Sequence, residues 1–392
     1  MKRKVALVLV TVLIISLFVF SVMGCQSYRE FPGSGKERGS VDLTLKFDEQ
    51  GNFKILQLTD IQFIDYIDDK SLAVLDATID FAKPDLIVVT GDQISPEYLG
   101  GQSKKARKIC RQIAGYLDGK EIPWTLCFGN HDGAMGVLSK KEMLEEYQKS
   151  AYFVGGLKES NYGGLGEKEY FESYSNFKED TYCNYFLPIY SHAGDNVEYG
   201  VLIMDCATSL MSPYKGFTQG QIGFYNEMSK KYGVNMSMYT HEPTQEFQTM
   251  YDNRNNTDIV RVFKGEIESP ENGKVYYPTK NPEANESFRL SLIANKNVDG
   301  IYAGHDHLSN FAGIYNIADD YSIMLGYGRM STYGFDEWKY FMTSASKRKE
   351  YKNYPRGGRV VEVTNNGGYS TYDVLDSKDG KYTMTTRNEI IK

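Results

Sequence analysis

Residues 56–62 read Leu-Gln-Leu-Thr-Asp-Ile-Gln, a stretch that starts apolar and ends polar. With Phe53 and Ile55 ahead of it, the spacing predicts a strand over 53–59. The strand then delivers Asp60 and, two residues on, Gln62. One aspartate after a strand is ordinary loop chemistry. Recurrence makes it informative. Residues 85–90 (DLIVVT) form an apolar run that ends in Gly91-Asp92, and 124–128 lead into Gly129-Asn130-His131-Asp132. The run 234–240 stops at His241, and 298–303 stops at Gly304-His305-Asp306-His307.

Helical spacing fills the gaps between the first three runs. Leu72, Leu75, Ile79 and Ala82 mark a helix over 71–83, stopped by Pro84. A second helix is expected over 104–117. A third, over 139–149, has Ser139 as N-cap and Glu142 completing a capping box. This β-α-β-α-β-α order argues for parallel strands covered by helices. Strands are also expected at 184–189 and 199–204, helices at 219–231 and 286–295, and mostly strand from 313 to about 376. Residues 151–182 and 244–283 break the pattern and read as surface insertions.

The clusters at the strand ends lie where the carboxyl edge of a sheet would be, the edge at which open α/β sheets bind ligands. The chain has five histidines, and four of them fall in these clusters; only His192 stands outside. Carboxylate, imidazole and an asparagine carbonyl together suit a divalent metal of intermediate hardness. No thiolate joins them, which argues against a structural cysteine-type zinc site. There are enough donors for two ions sharing one carboxylate, the usual apparatus for attacking a phosphate ester.

The series Asp60-x-Gln62, Gly91-Asp92, Gly129-Asn130-His131-Asp132, His241 and Gly304-His305-x-His307 resembles the calcineurin-like metallophosphoesterase superfamily over about residues 50–365. The stretches GYGRMSTYG (326–334) and RGGRVVEV (356–363) further resemble its exported, purple-acid-phosphatase-like branch. The resemblance implies a four-layer α/β/β/α sandwich of two mixed sheets, and two divalent or trivalent transition metal ions (Mn, Fe or Zn). One ion would be held by Asp60, Gln62, Asp92 and His307, the other by Asp92, Asn130, His241 and His305. It implies hydrolysis of phosphate mono- or diesters by a metal-bridging hydroxide. His131 would protonate the leaving oxygen or steady the phosphate, and Asp132 would orient or charge-stabilise that imidazole. Arg329, with Tyr327, is a candidate grip on a phosphate oxygen, set against an ordinary surface or ion-paired arginine.

Two positions depart from the family pattern. Gln62 stands where the family has histidine, so it ligates weakly and favours Mn, Mg or Ca in the first site, or water replaces it, or the first site is empty until substrate binds. Ser95 stands where purple enzymes carry a tyrosine, which argues against a coloured iron–tyrosinate centre.

The N-terminus reads as a targeting segment. Lys2, Arg3 and Lys4 precede a nearly unbroken apolar run, and Val22-Met23-Gly24-Cys25 resembles a bacterial lipobox. The expectation is a lipoprotein signal peptide over 1–24, lipidation of Cys25 and a flexible tether over 25–40. An extracytoplasmic domain over 41–392 would then be anchored to the cell membrane; an uncleaved anchor or a plain signal peptide are the alternatives. The net charge is −7, and removing residues 1–24 with their three basic side chains makes it −10. That balance argues for a small phosphate-ester substrate and against a nucleic-acid polymer. A nucleotidase and a surface binding protein that keeps the fold with weakened catalysis stay open.

Overall fold

The computed structural model describes residues 29–64, 66–95, 99–157, 170–205, 216–267, 282–334, 354–377 and 381–392. The leader, Cys25, Asp65 and Cys206 lie outside the described residues. Among the described residues, no helix is long and apolar enough to cross a membrane. Residues 1–30 and 31–392 separate as two units, and among the described residues every strand and helix lies in the second.

After the short β1 (Leu45–Lys46), the chain builds a parallel core of β2 (Asn52–Leu58), β3 (Leu86–Thr90) and β4 (Trp124–Cys127). Leu56 lies opposite Ile87, and Val88 opposite Thr125. Every residue of β3 and β4 is buried, as parallel strands covered on both faces require. The crossovers are α1 (Asp69–Ala82) and α2 (Ser103–Asp118), and α3 (Lys140–Tyr147) follows β4. Asp68 caps α1 by accepting from Ser71 N. Lys83 ends that helix in the left-handed conformation, ahead of Pro84. The expected capping box of Ser139 and Glu142 is present.

The second half builds a larger sheet from β5 (Glu172–Asn176), β6 (Thr181–Tyr190), β7 (Val197–Ile203), β8 (Met236–Tyr239), β9 (Val260–Lys264), β10 (Val298–Ala303), β11 (Ala312–Ala318) and β12 (Tyr321–Tyr327). The intervening helices are α4 (Gln219–Tyr232), α5 (Gln245–Asp252) and α6 (Pro282–Asn295). The chain then returns to the first sheet through β13 (Gly357–Thr364), β14 (Tyr369–Asp376) and β15 (Met384–Ile391). The strand orders are β15-β14-β13-β2-β3-β4 and β1-β6-β7-β8-β10-β12-β11-β9, with β5 beside β6. Both sheets are mixed.

The two sheets face each other and are joined by buried polar bonds. Gln57 Nε2 donates to Ala303 O at 3.0 Å, and the Tyr302 and Tyr369 hydroxyls bond at 2.8 Å. Arg359 is fully buried; it pairs with Asp373 and donates to Tyr327 O and Asn310 O, which satisfies its guanidinium between the sheets. Outside the larger sheet, Ile222, Tyr225, Met228, Phe288 and Leu292 of α4 and α6 pack with Met236, Met238 and Ile301. Helices α1 and α2 contribute Leu75, Ile79, Ile109 and Ile113 to the core that includes the smaller sheet. This is the four-layer α/β/β/α sandwich.

Three stretches are more integrated than their composition suggested. Residues 151–157 are buried, and Phe153 bridges in parallel to Trp124, with their rings 4.6 Å apart. Within 244–283, α5 forms and β9 joins the sheet against β11. The segment 31–40, expected to be a flexible tether, is strapped to α2 and to the stretch that follows α3. Ser34 bonds Asp118 through both N and Oγ, and Arg38 donates to Ser150 O, Phe153 O and Gly155 O. Glycine and charge signalled mobility in sequence, but here those charges satisfy backbone carbonyls.

Candidate functional site

The strand ends converge. Past β2 and β3 the backbone ladder continues, with Asp60 N donating to Gly91 O at 3.2 Å and Gln62 N to Asp92 O at 2.9 Å. Asp60, Gln62, Asp92 and His305 all have positive φ, at 49°, 37°, 51° and 74°. Such a conformation costs about 1 kcal/mol or more for each non-glycine residue. These bonds, and His305 N donating to Asp60 Oδ2 at 3.0 Å, hold it in place. Close approach explains two glycines. A Cβ on Gly91 would sit 2.3 Å from His241 Nδ1, and one on Gly304 would sit 1.9 Å from Thr59 Oγ1 and 2.8 Å from Asp60 Oδ2.

One half of the cluster is rich in imidazole. Asn130 Oδ1 lies 3.1 Å from His241 Nε2 and 2.9 Å from His305 Nδ1, and the two ring nitrogens are 3.2 Å apart. Asp92 Oδ2 is 3.3 Å from His241 Nε2. Donor atoms bound to one ion at about 2.1 Å stand about 3.0–3.4 Å apart in octahedral or tetrahedral geometry. The spacing here therefore fits a cation. His241 Nδ1 meets Thr90 O at 2.9 Å, which fixes the ring and directs Nε2 inward.

The other half is rich in oxygen. Asp60, Asp92 and His307 each offer a donor atom within 4.8 Å of one another. His307 Nε2 is 3.5 Å from Asp60 Oδ1. Gln62 is fully buried and its Nε2 donates to Asp92 Oδ2 at 3.1 Å. Asp60 Oδ1 and Gln62 Oε1 are buried without a hydrogen-bond partner. Orphaned oxygens of this kind are costly unless something positive meets them.

Electrostatics point the same way. Burial, with Asp92 nearby and against the pull of His241, lifts the Asp60 carboxyl to about 6. Burial lifts Asp132 to about 7, with Asp92 adding to it. Burial alone would lower His241, but Asp92 and Asp60 raise it to about 10. Burial and the neighbouring His241 push His305 down to about 3. Carboxyls raised in this way by burial and by one another mark a site that favours added positive charge, which bound cations would supply.

His131 sits at the edge of the cluster. Its backbone N donates to Asp92 Oδ1 at 2.9 Å and its Nε2 is 3.9 Å from Asp92 Oδ2, with the side chain 15% exposed. The carboxylate of Asp132, the next residue, accepts from the backbone of Gly129 at 2.9 Å, Gln93 at 3.0 Å and Ile94 at 3.3 Å. It thus laces the loop carrying Asp92 to the loop carrying Asn130 and His131. Asp205, which the motif reading missed, props the same loop from behind, accepting from Phe128 N at 2.8 Å and Tyr182 N at 2.7 Å. Its position directly after a strand was the only sequence signal.

The two candidate substrate residues have partners of their own, although the backbone beside them reaches the centre, with Met330 N donating to His307 O at 2.9 Å. Arg329 is buried, with Nη2 3.5 Å from Glu266 Oε2 and its guanidinium 5.1 Å from the Tyr354 ring. Tyr327 is buried in an aromatic cluster, 5.0 Å from Phe247 and 4.9 Å from Phe311. As the last residue of β12 it joins the outer core with its ring. His192 is exposed, as expected of a surface histidine.

Known proteins share this framework. The model of the calcineurin-like phosphoesterase family matches residues 53–309. The chain is similar to "Probable inactive purple acid phosphatase 29" of Arabidopsis thaliana, 24% identical over 339 residues, covering 75% of this chain and 76% of that one. It is also similar to "Phosphatase DCR2" of Saccharomyces cerevisiae, 23% identical over 300 residues, 68% of this chain and 46% of that one. Among solved structures, a dimetal phosphatase from Danio rerio has the same fold, with a TM-score of 0.50 and 10% identity over 86% of this chain and 98% of that one. With the family match running through all five strand-end clusters up to His307, the chain belongs to the calcineurin-like phosphoesterases.

Proposed function

We propose that this protein is an exported, metal-dependent hydrolase of small phosphate mono- or diesters that works with two metal ions. The observation that carries the reading is the triangle of Asn130 Oδ1, His241 Nε2 and His305 Nδ1, with sides of 2.9–3.2 Å. With Asp92 these residues would hold one ion; Asp60, Gln62, Asp92 and His307 would hold the other. Such ions, Mn, Fe or Zn by donor type, supply positive charge for the phosphoryl oxygens and lower the pKa of water.

The chain's own residues do the rest. Asp92 is fixed by His131 N and Gln62 Nε2, so its carboxylate faces both halves. His131 is placed to pass a proton from Nε2 to the leaving alkoxide. Asp132 and Asp205 keep the loops that carry these groups in register. Export and a lipid anchor at Cys25 rest on the leader's basic, apolar and lipobox-like parts; the mass of the mature N-terminal peptide tests them.

A second reading is a surface binding protein with weakened catalysis. It is favoured by Gln62 in place of histidine and by the word "inactive" in the name of an Arabidopsis relative. Hydrolysis of p-nitrophenyl phosphate and bis(p-nitrophenyl) phosphate with added Mn2+, Fe2+ or Zn2+ separates the two. Turnover that falls about 10²–10⁴-fold in His131→Ala, with bound metal unchanged, supports the hydrolase. Absence of turnover under every metal supports the binding protein.

A further inference from the structure

We infer that Gln62 makes the Asp60 side of the centre a hard-ion position, one that takes Mn2+ or Mg2+ in preference to Zn2+ and exchanges more readily than the imidazole-rich side. This rests on the metal-dependent reading and concerns what one residue does within it.

The donor count differs between the halves. Asp60, Gln62, Asp92 and His307 offer three oxygen donors and one imidazole, whereas Asn130, Asp92, His241 and His305 offer two oxygens and two imidazoles. Carboxylate and carbonyl oxygens favour Mg2+ and Mn2+, and imidazole favours Zn2+ and iron. A histidine at position 62 would make the two halves equal in nitrogen.

The geometry shows that Gln62 is committed to the site. It is fully buried in a left-handed backbone conformation, pinned by its N on Asp92 O at 2.9 Å. Thr332 Oγ1 holds the preceding carbonyl, Ile61 O, at 2.7 Å. The side chain has two ends with opposite roles. Nε2 donates to Asp92 Oδ2 at 3.1 Å, and Oε1 is left buried with no hydrogen-bond partner. An amide can quiet Asp92 with its N–H and still present a neutral oxygen. The N–H of a metal-bound imidazole points away from the ion and cannot do both. The same hydrogen bond stabilises the Asp92 carboxylate whenever an ion leaves the hard-ion position, which favours exchange there.

The test is equilibrium dialysis of the chelator-stripped protein against Mn2+, Mg2+ or Zn2+. Bound ions are counted by mass spectrometry, Mn2+ is followed by electron paramagnetic resonance, and thermal midpoints confirm folding. The wild type is expected to bind one Zn2+ tightly and a second ion with Mn2+ preferred. Gln62→His should raise Zn2+ affinity at the second position on the order of tenfold or more and erase the Mn2+ preference. Gln62→Glu, which keeps the shape and adds charge, should tighten Mn2+ and guards against a histidine variant that fails to fold. An unchanged Mn2+/Zn2+ preference in both variants overturns the inference, as does a wild type that fills only one position under every metal. Failure of all three proteins to bind any ion instead sinks the underlying metal-dependent reading.

Discussion

The two halves of the centre are built differently, although one carboxylate, Asp92, belongs to both. On the imidazole side, three donor atoms from the loops after β4, β8 and β10 stand 2.9–3.2 Å apart, already at ligand spacing. On the oxygen side, His307 Nε2 and Asp60 Oδ1 are 3.5 Å apart and two oxygens have no partner. The first half is organised by contacts between its own donors. The second is organised by backbone bonds between its loops and by the amide of Gln62. On the proposed two-metal reading, one cation position is thus prepared tightly and its neighbour is left to be completed by the ion itself.

The largest effect should come from the imidazole side. His241→Ala removes a donor that also anchors to Thr90 O, so the tightly held ion should be lost and phosphoesterase turnover should fall on the order of 10²-fold or more. Metal counting and turnover measured on one sample check this. If the tight ion persists, the two halves are less unequal than their donor spacing indicates. A smaller and more selective effect is expected from Gly304→Ala, whose Cβ would crowd Thr59 Oγ1 and Asp60 Oδ2. It should lower stability by about 1–3 kcal/mol and weaken the Mn2+-preferring position while sparing the Zn2+ one, as read by thermal midpoint and dialysis. Equal loss at both positions would break the comparison.

The smallest effect serves as a control for acid conditions, because protonation can empty a metal site and unfold its scaffold together. Glu146 on α3 is buried, and burial alone would raise its carboxyl. Arg111, Lys149 and Arg107 instead hold it down to about 2, from an ordinary 4.5. A depressed folded-state value means that its stabilisation is complete above about pH 4.5 and is lost as pH falls toward 2. Glu146→Gln should cost about 2 kcal/mol at neutral pH and flatten the stability profile between pH 4.5 and 2. Denaturant titrations across that range test this. Metal release at pH 5–6 would then belong to the site and not to the scaffold.

Much of this was legible in the linear chain because it is periodic or punctuated. Alternation marked β2, Pro84 and Ser139 marked helix ends, and polar clusters after apolar runs marked Asp60, Asp92, Asn130, His241, His305 and His307. Weakly patterned pieces escaped. β9, with its Val-Arg-Val-Phe-Lys edge pattern, and β15 become strands only because a neighbouring strand supplies their hydrogen bonds. The burial of 151–157 depends on Trp124, more than twenty residues earlier.

The sequence by itself determined the alternation of strands and helices, the family, and which side chains stand at strand ends, since these follow from local periodicity and residue chemistry. Only the tertiary structure decided which of those side chains meet. Asn130 reaches His305 across 175 residues of chain. Asp132 takes three backbone amides, Arg329 points to Glu266, and Gln62 gives its N–H to Asp92 while its oxygen has no hydrogen bond. The physical reason is that a buried polar atom takes whatever partner the packing of two distant sheets brings within reach, and no local pattern encodes that distance.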